Sequence, residues 1–427
     1  MSGIRLRART RAVVVATGLA LTLGLVSGCA PEGQQVAVDA PAQTEAKLAG
    51  DTQTQLEAAV QSAMTATGST GAIVGVWVPW AGTWVSTVGT DVDGKKLDVN
   101  MGVRVGEITR LMTCDVLYSV AADGTVKLDD PISNYVAGVP DLENVTLKNL
   151  CDGSSGLGTS STVLAPTWLS NPTRIWEPLE LAAHGLAQAR ATPGSTYRDS
   201  DAGFILLGLA LERATGETFA TLLEERVFAP LGMENSAYPP ATELTANVGA
   251  GPMPGYVFPR NAEGALECTA PREMSEVSAT MGFSSAGVVA TTEDGGRYLQ
   301  ALGDNAWGRG DVAEQRRATP LAPYASAPDW YTVAGGGLQA GTLVGQIGST
   351  PGALTAGFVD RETGMTVVVV LNNSTAGSDM SLRLAWELAA IASKAPAASG
   401  QTAPAVGLPW TAEQWGDSIT ASALVCP

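Results

Sequence analysis

The densest group of reactive side chains in this 427-residue chain lies in Arg104–Cys114, which reads RVGEITRLMTC. Glu107 follows a glycine at what reads as a strand end, and Arg110 stands three residues later. A tight turn into a helix puts both on one helical turn, where opposite charges can pair. Glu107 is a weak nucleophile. Arg110 is no base, because a guanidinium stays protonated below a pH of about 12. Thr109 in the same turn and Ser154 and Ser155 before Gly156-Leu157 are the other hydroxyl candidates. The single histidine, His184, falls in a helical stretch; a Ser-His-Asp triad would have to use it, and no Gly-x-Ser-x-Gly elbow exists. Lys47, Lys95, Lys96, Lys127, Lys148 and Lys394 are preceded three residues earlier by Thr44, Val92, Asp93, Gly124, Val145 and Ile391, so Ser-x-x-Lys is absent. No Cys-x-x-Cys or His/Cys cluster suggests zinc. No metal or cofactor is expected.

The elements around this stretch are readable from spacing. Apolar residues at Leu56, Ala59, Val60 and Met64 predict a helix over Thr52–Thr67. GAIVGVWVPWAGTWVSTVGTDV is two β-branched and aromatic runs around Pro79–Gly82, a hairpin opening an antiparallel sheet. The motif helix is followed by an acidic loop, LDDP, and a second short helix, TLKNLC, before SSGL. Residues 152–192 read as loop with one helical stretch around Leu179–Arg190. Residues 239–280 read as irregular, and 303–330 as a polar, Pro- and Ala-rich excursion. GQIGSTPGALTAGFVDRETGMTVVVVLNNS returns to sheet, with a turn at Asp360–Gly364, and Leu382–Ile391 is a closing helix. The last twenty or so residues have no place in this scheme.

The order strand end, glycine turn, helix, LDDP, short helix, SSGL resembles the serine β-lactamase and penicillin-binding-protein superfamily, in its class C, esterase and D-alanyl-D-alanine peptidase branch. The stretch PGSTYRDSDAGFILLGLALERATGETF…VFAPLGM is similar to the helices after that branch's Tyr-x-Asn loop, and GFSSAGVVATTEDGGRYLQAL to its late helix entry. The resemblance covers roughly residues 51–394. It implies an α/β fold, an antiparallel sheet flanked by helices plus a mainly helical lobe. The sheet lobe is expected at about 51–100 and 331–394, and the helical lobe at about 101–330.

The resemblance also implies where the chemistry should be. The family needs a serine, a lysine three residues on, a Tyr-x-Asn element, and a Lys-Thr-Gly or His-x-Gly strand. Here Glu107 stands in the serine's place and Arg110 in the lysine's. Counting from Pro193-Gly194 and back from Gly203-Phe204 puts Asp199 at the tyrosine and Asp201 at the asparagine; a slipped register would put Tyr197 and Asp199 there. Gln346-Ile347-Gly348 replaces His-x-Gly. These degenerate equivalents, Glu107, Arg110, Asp199, Asp201, Gln346 and Gly348, leave no catalytic residue expected. The carboxylates Glu107, Asp199 and Asp201 would suit calcium in type but lack coordinating spacing.

The N-terminus reads as an address. Arg5, Arg7, Arg9 and Arg11 precede an apolar run, Val13–Leu25, too short for a comfortable span. Leu25-Val26-Ser27-Gly28-Cys29 resembles a bacterial lipobox, so residues 1–28 are expected to be a lipoprotein signal peptide, Cys29 the lipidated residue, and 29–50 a flexible tether. Localisation would be extracytoplasmic, lipid-anchored to the bacterial cell membrane. Loss of residues 1–28 leaves 21 basic against 42 acidic residues, a formal charge near −21. That excludes nucleic acid as a partner. The remaining cysteines, Cys114, Cys151, Cys268 and Cys426, fit two disulfides in an exported compartment, with three pairings open and free thiols the alternative. Some class A β-lactamases pair a cysteine seven residues after the nucleophile with one in a helix like TLKNLC. That resemblance favours Cys114–Cys151 and leaves Cys268–Cys426. Residues 395–427 read as an Ala/Pro-rich linker and tail.

The functional expectation is therefore a cell-envelope lipoprotein with a catalytically inactive β-lactamase-related domain, acting in binding or scaffolding. The alternative is a hydrolase of the same family on a rearranged site. Glu107, Arg110, Asp199 and Asp201 sum to −2, which disfavours carboxylate ligands and favours a neutral or amine-bearing envelope ligand or protein partner.

Overall fold

The computed structural model describes residues 46–304, 306, 315–405 and 407–424. Cys29, the signal peptide and Cys426 lie outside these. Strands β1 (Gly71–Val78) and β2 (Gly82–Gly89) form the expected hairpin. Short strands β3 (Val103–Arg104), β4 (Ser236–Ala237) and β5 (Val289–Ala290) make a small second sheet. Strands β6 (Tyr331–Ala334), β7 (Gly337–Ala340), β8 (Leu343–Thr350), β9 (Ala353–Asp360) and β10 (Thr366–Leu371) complete the main sheet, ordered β2-β1-β10-β9-β8-β7-β6. Every pairing in it is antiparallel. Both β1 and β10 are buried along their whole length, as their unbroken apolar runs require.

The two faces of the sheet are covered differently. On one face α1 (Gly50–Thr67) and a long C-terminal helix, Asp379–Ala392, pack a core that includes Leu56, Val60, Val369, Leu384 and Trp386. On the other face lies the helical lobe. Its axis is α2 (Thr109–Ala122), buried at all but three positions. Around it stand α3 (Leu147–Cys151), α4 (Ser161–Ser170), α5 (Pro178–Leu186), α6 (Asp201–Thr215) and α7 (Phe283–Ala286). Local signals set their ends. Thr146 and Asn149 close a reciprocal capping box on α3. Ser200 caps α6 by accepting from the Gly203 N–H, and Gly216 ends it at φ +78°. Helix α8 (Thr292–Gly303) then packs against β9 and β10.

Two segments depart from the sequence reading. Helix α4 lies inside 152–192, beyond the single helix expected there; Pro166 sits within it, which is why the stretch reads as loop. The tail is not a free extension. After α9 (Asp379–Ala392), helix α10 (Ala412–Ala421) docks on α9 and α1. Trp386 and Trp410 stack at 4.8 Å, Trp415 meets Trp386 edge-on at 4.9 Å, and the Trp410 indole donates to the Trp386 carbonyl at 3.0 Å.

Candidate functional site

The site is built where β3 turns into α2 beneath β8. Gly106 holds φ at +60°, and a Cβ there would lie 2.8 Å from Gly348 Cα and the Ser349 nitrogen. A Cβ on Gly348 would lie 2.3 Å from the Val105 carbonyl. Two glycines thus let strand and turn touch backbone to backbone. That approach aims the Ser349 N–H at Glu107, whose Oε2 accepts it at 2.7 Å. Glu107's own backbone N–H is a second donor to the same carboxylate. Two backbone N–H groups converging on one oxygenated group form the geometry that stabilises an oxyanion in acyl transfer. Here the chain's own side chain fills it. Burial raises the Glu107 carboxyl above its ordinary range, opposed by the Arg110 charge and these N–H donors.

Arg110 lies one turn further along α2. The sequence suggested that it pairs with Glu107; instead its Nη1 meets Asp199 Oδ1 at 2.5 Å, and its Nε donates to Ser285 Oγ at 3.0 Å. Its guanidinium also stacks over Phe204, 5.0 Å from the ring centre. The pairing is geometric: Asp199, just before α6, faces the guanidinium across the lobe, while Glu107 turns to β8. Burial would lower the Arg110 pKa, but Asp199 and Glu107 outweigh it and hold it above its ordinary value. Asp199 is about half exposed; its partial desolvation would raise its carboxyl, but Arg110 keeps it lowered. The pair stays charged, and no base is left at this position. The Tyr197 hydroxyl reaches the same carboxylate at 3.4 Å.

Asp201 opens α6 and faces the same cleft as Glu107. Both its oxygens are occupied, accepting from the N–H groups of Ser160 and Ser161 at 2.7 Å each. It therefore anchors the N-terminus of α4, where a negative charge is favourable. Gln346 turns away: it donates to the Gly336 carbonyl and accepts from the Ile347 N–H, both at 2.9 Å, bracing β8 against the β6–β7 turn. The other sequence candidates also fall outside the cleft. Thr109 is buried and accepts from Val288; Ser154 and Ser155 are buried beneath the lobe; His184 is exposed on α5. Cys114 and Cys151 are bonded, with Cα atoms 5.6 Å apart, and Cys268 is disulfide-bonded as well. Among the described residues no three His, Cys, Asp or Glu side chains gather as a metal site.

The cleft has a volume of about 580 Å³. Its walls are largely apolar, from Leu181, Ile205, Val277 and Met281, with Glu107, Asp201 and Ser285 among the polar groups. Among the lining residues missed from sequence are Arg104, Trp168, Ser285, Ser349 and Thr350. The signal for Arg104 was present, since a lone charge inside Val103-Arg104-Val105 must point opposite to its valine neighbours.

A glycine-turned strand end, an occupied backbone N–H pair and a buried helix beneath a seven-stranded antiparallel sheet define a β-lactamase/transpeptidase-like protein. Residues 56–391 match the Beta-lactamase family model, and the chain belongs to that family. Among curated relatives, the D-alanyl-D-alanine-carboxypeptidase/endopeptidase AmpH of Escherichia coli is 35% identical over 162 residues, 35% of this chain and 41% of AmpH. A D-aminopeptidase of Brucella anthropi is 28% identical over 131 residues, 30% of this chain and 25% of that protein. The chain thus spans well under half the length of the curated relatives it matches. Among solved structures, a D-stereospecific amidohydrolase from Streptomyces sp. has a TM-score of 0.67 at 23% identity, covering 78% of this chain and 97% of that one. A penicillin-binding protein homologue from Pyrococcus abyssi has a TM-score of 0.65 at 19% identity, covering 79% and 77%. At these identities the structures establish the fold alone.

Proposed function

We propose that this chain is a non-catalytic member of the family, a lipid-anchored envelope protein that binds a ligand or partner through the cleft. One observation carries the reading: the Glu107 carboxylate sits on the two backbone N–H groups that an acyl-transfer site needs free. Arg110 adds to it, since a guanidinium locked on Asp199 takes no proton. The anchor rests on the lipobox-like sequence ending at Cys29. The relatives' names place hydrolases near this chain, but the residues expected to do their chemistry are substituted here. Around Glu107 and Asp201 the cleft suits a neutral or amine-bearing group.

A second reading, a hydrolase with a rearranged site, is favoured by one contact. Ser285 Oγ lines the cleft and accepts from Arg110 Nε. That bond would stabilise an alkoxide but supplies no base. Turnover of nitrocefin, p-nitrophenyl acetate and a D-alanyl-D-alanine peptide by the purified folded domain separates the two. Rates at the uncatalysed background are expected. Turnover that disappears in Ser285→Ala would establish the hydrolase reading instead.

A further inference from the structure

Arg104 is a buried cation without a counter-ion. It is 8% exposed, and its Nη2 donates to the Leu244 carbonyl at 3.0 Å and to that of Val277. Among the described residues no carboxylate stands at ion-pair distance, and neither Nη1 nor Nε has a hydrogen-bond partner. The acid whose charge it feels, Glu243, is half-buried, stands beyond ion-pair distance and already accepts from the Thr245 N–H and hydroxyl. Burial pushes the Arg104 guanidinium down to about 10, which leaves it charged at neutral pH.

Thr350 is the second unanswered group. It is 8% exposed, and its Oγ1 is buried with no partner. Arg104 and Thr350 both line the main cleft and a second, solvent-open hollow beside it, so they lie in the wall the two share. The second cavity is walled by Met253, Met274, Pro252 and Pro254. Buried polar groups of native proteins nearly always have partners, and an unpaired buried charge is the costliest exception. The acids of the cleft are answered, Glu107 by Ser349 and Asp201 by Ser160 and Ser161. The unanswered potential is therefore positive and sits at Arg104.

We infer that Arg104 and Thr350 form a carboxylate-binding point where the two cavities meet, the carboxylate accepting one hydrogen bond from the unused Nη1 or Nε of the guanidinium and one from the threonine hydroxyl while an apolar body fills the methionine-lined cavity. A hydrogen bond from a guanidinium N–H to a carboxylate is charge-assisted and about twice as strong as a neutral one. This deepens the proposed function by adding an anionic end to the cleft's ligand, which is compatible with a ligand that is net neutral. It also amends the sequence-level charge count, which left Arg104 out.

The test is calorimetric titration of the folded protein with phenylacetate and with phenylacetamide. Neither is used as a substrate, so the result does not depend on whether the site turns anything over. Phenylacetate is expected to bind and phenylacetamide to bind about tenfold more weakly or worse, the worth of a charge-assisted hydrogen bond. Thr350→Val, which keeps volume and leaves Arg104 in place, is expected to weaken phenylacetate about tenfold. Arg104→Gln is expected to abolish binding. Should that variant fail to fold, because Arg104 also ties Leu244 and Val277, the threonine variant still decides. Equal affinity for acid and amide, unchanged binding by folded Thr350→Val, or no binding of phenylacetate to wild type at millimolar concentration would each overturn the inference.

Discussion

Glu387 gives the sharpest quantitative expectation in the fold. It sits on α9 under the docked α10, 9% exposed, with Oε2 buried and without a partner. A Cβ on Gly416 would lie 3.0 Å from its Oε1, so α10 covers the carboxyl directly. Burial, and then the charge of Glu413, pushes this carboxyl up to about 7. An unfolded glutamate titrates near about 4.3. The folded state therefore holds its proton more tightly, and the stabilisation is complete below pH 4 and lost as pH rises through 7. Linkage gives a total of about 3.5 kcal/mol, of which about 2.5 kcal/mol disappears between pH 5 and pH 9. In Glu387→Gln that loss is removed. The melting temperature of the variant relative to wild type should rise by about 4 °C from pH 5 to pH 9 for a domain of this size. Paired thermal melts followed by tryptophan fluorescence measure it, and other titrating groups cancel in the comparison. Parallel pH profiles for the two proteins would refute the burial of Glu387 beneath α10.

Other expectations concern the site's supports. Removing Cys114–Cys151, whose cysteines are 37 residues apart, in the double variant Cys114→Ala/Cys151→Ala should cost about 4 kcal/mol by chain entropy while leaving the Cys268 disulfide in place, read as a lower denaturant midpoint. Gly106→Ala should lose about 2–4 kcal/mol, because backbone atoms of Gly348 and Ser349 block the new Cβ and φ is positive; chemical denaturation checks it. Asp201→Ala should release the N-terminus of α4, and limited proteolysis within 161–170 should quicken about tenfold while melting of the whole domain changes little.

Much of the fold was legible because its signals are local. The β1–β2 hairpin, the Asp360–Gly364 turn, α1 and α9 each follow from periodicity and turn residues within one short window. Cys114 and Cys151 were matched only through a family likeness, since spacing leaves three pairings open. The tail was illegible because its partner, the Trp386 cluster, lies more than twenty residues away in sequence and α10 alone is a short, half-polar helix. Helix α4 was hidden by Pro166. In the site, the sequence located Glu107, Arg110, Asp199 and Asp201 but mispaired them. Spacing of three on a helix permits a contact between Glu107 and Arg110, whereas the Gly106–Gly348 approach, visible only in three dimensions, turns Glu107 to Ser349 and frees Arg110 for Asp199. Arg104 was overlooked because the charge count followed motif positions rather than the cavity wall.

The central claim is that Glu107 blocks the place where an acyl-enzyme would form. Its most direct test is incubation of the folded domain with a fluorescent penicillin and, separately, a fluorophosphonate, followed by intact-mass measurement. The expected result is unmodified protein in both cases. A stoichiometric covalent adduct, mapped to any cleft residue, would contradict the claim and identify the nucleophile.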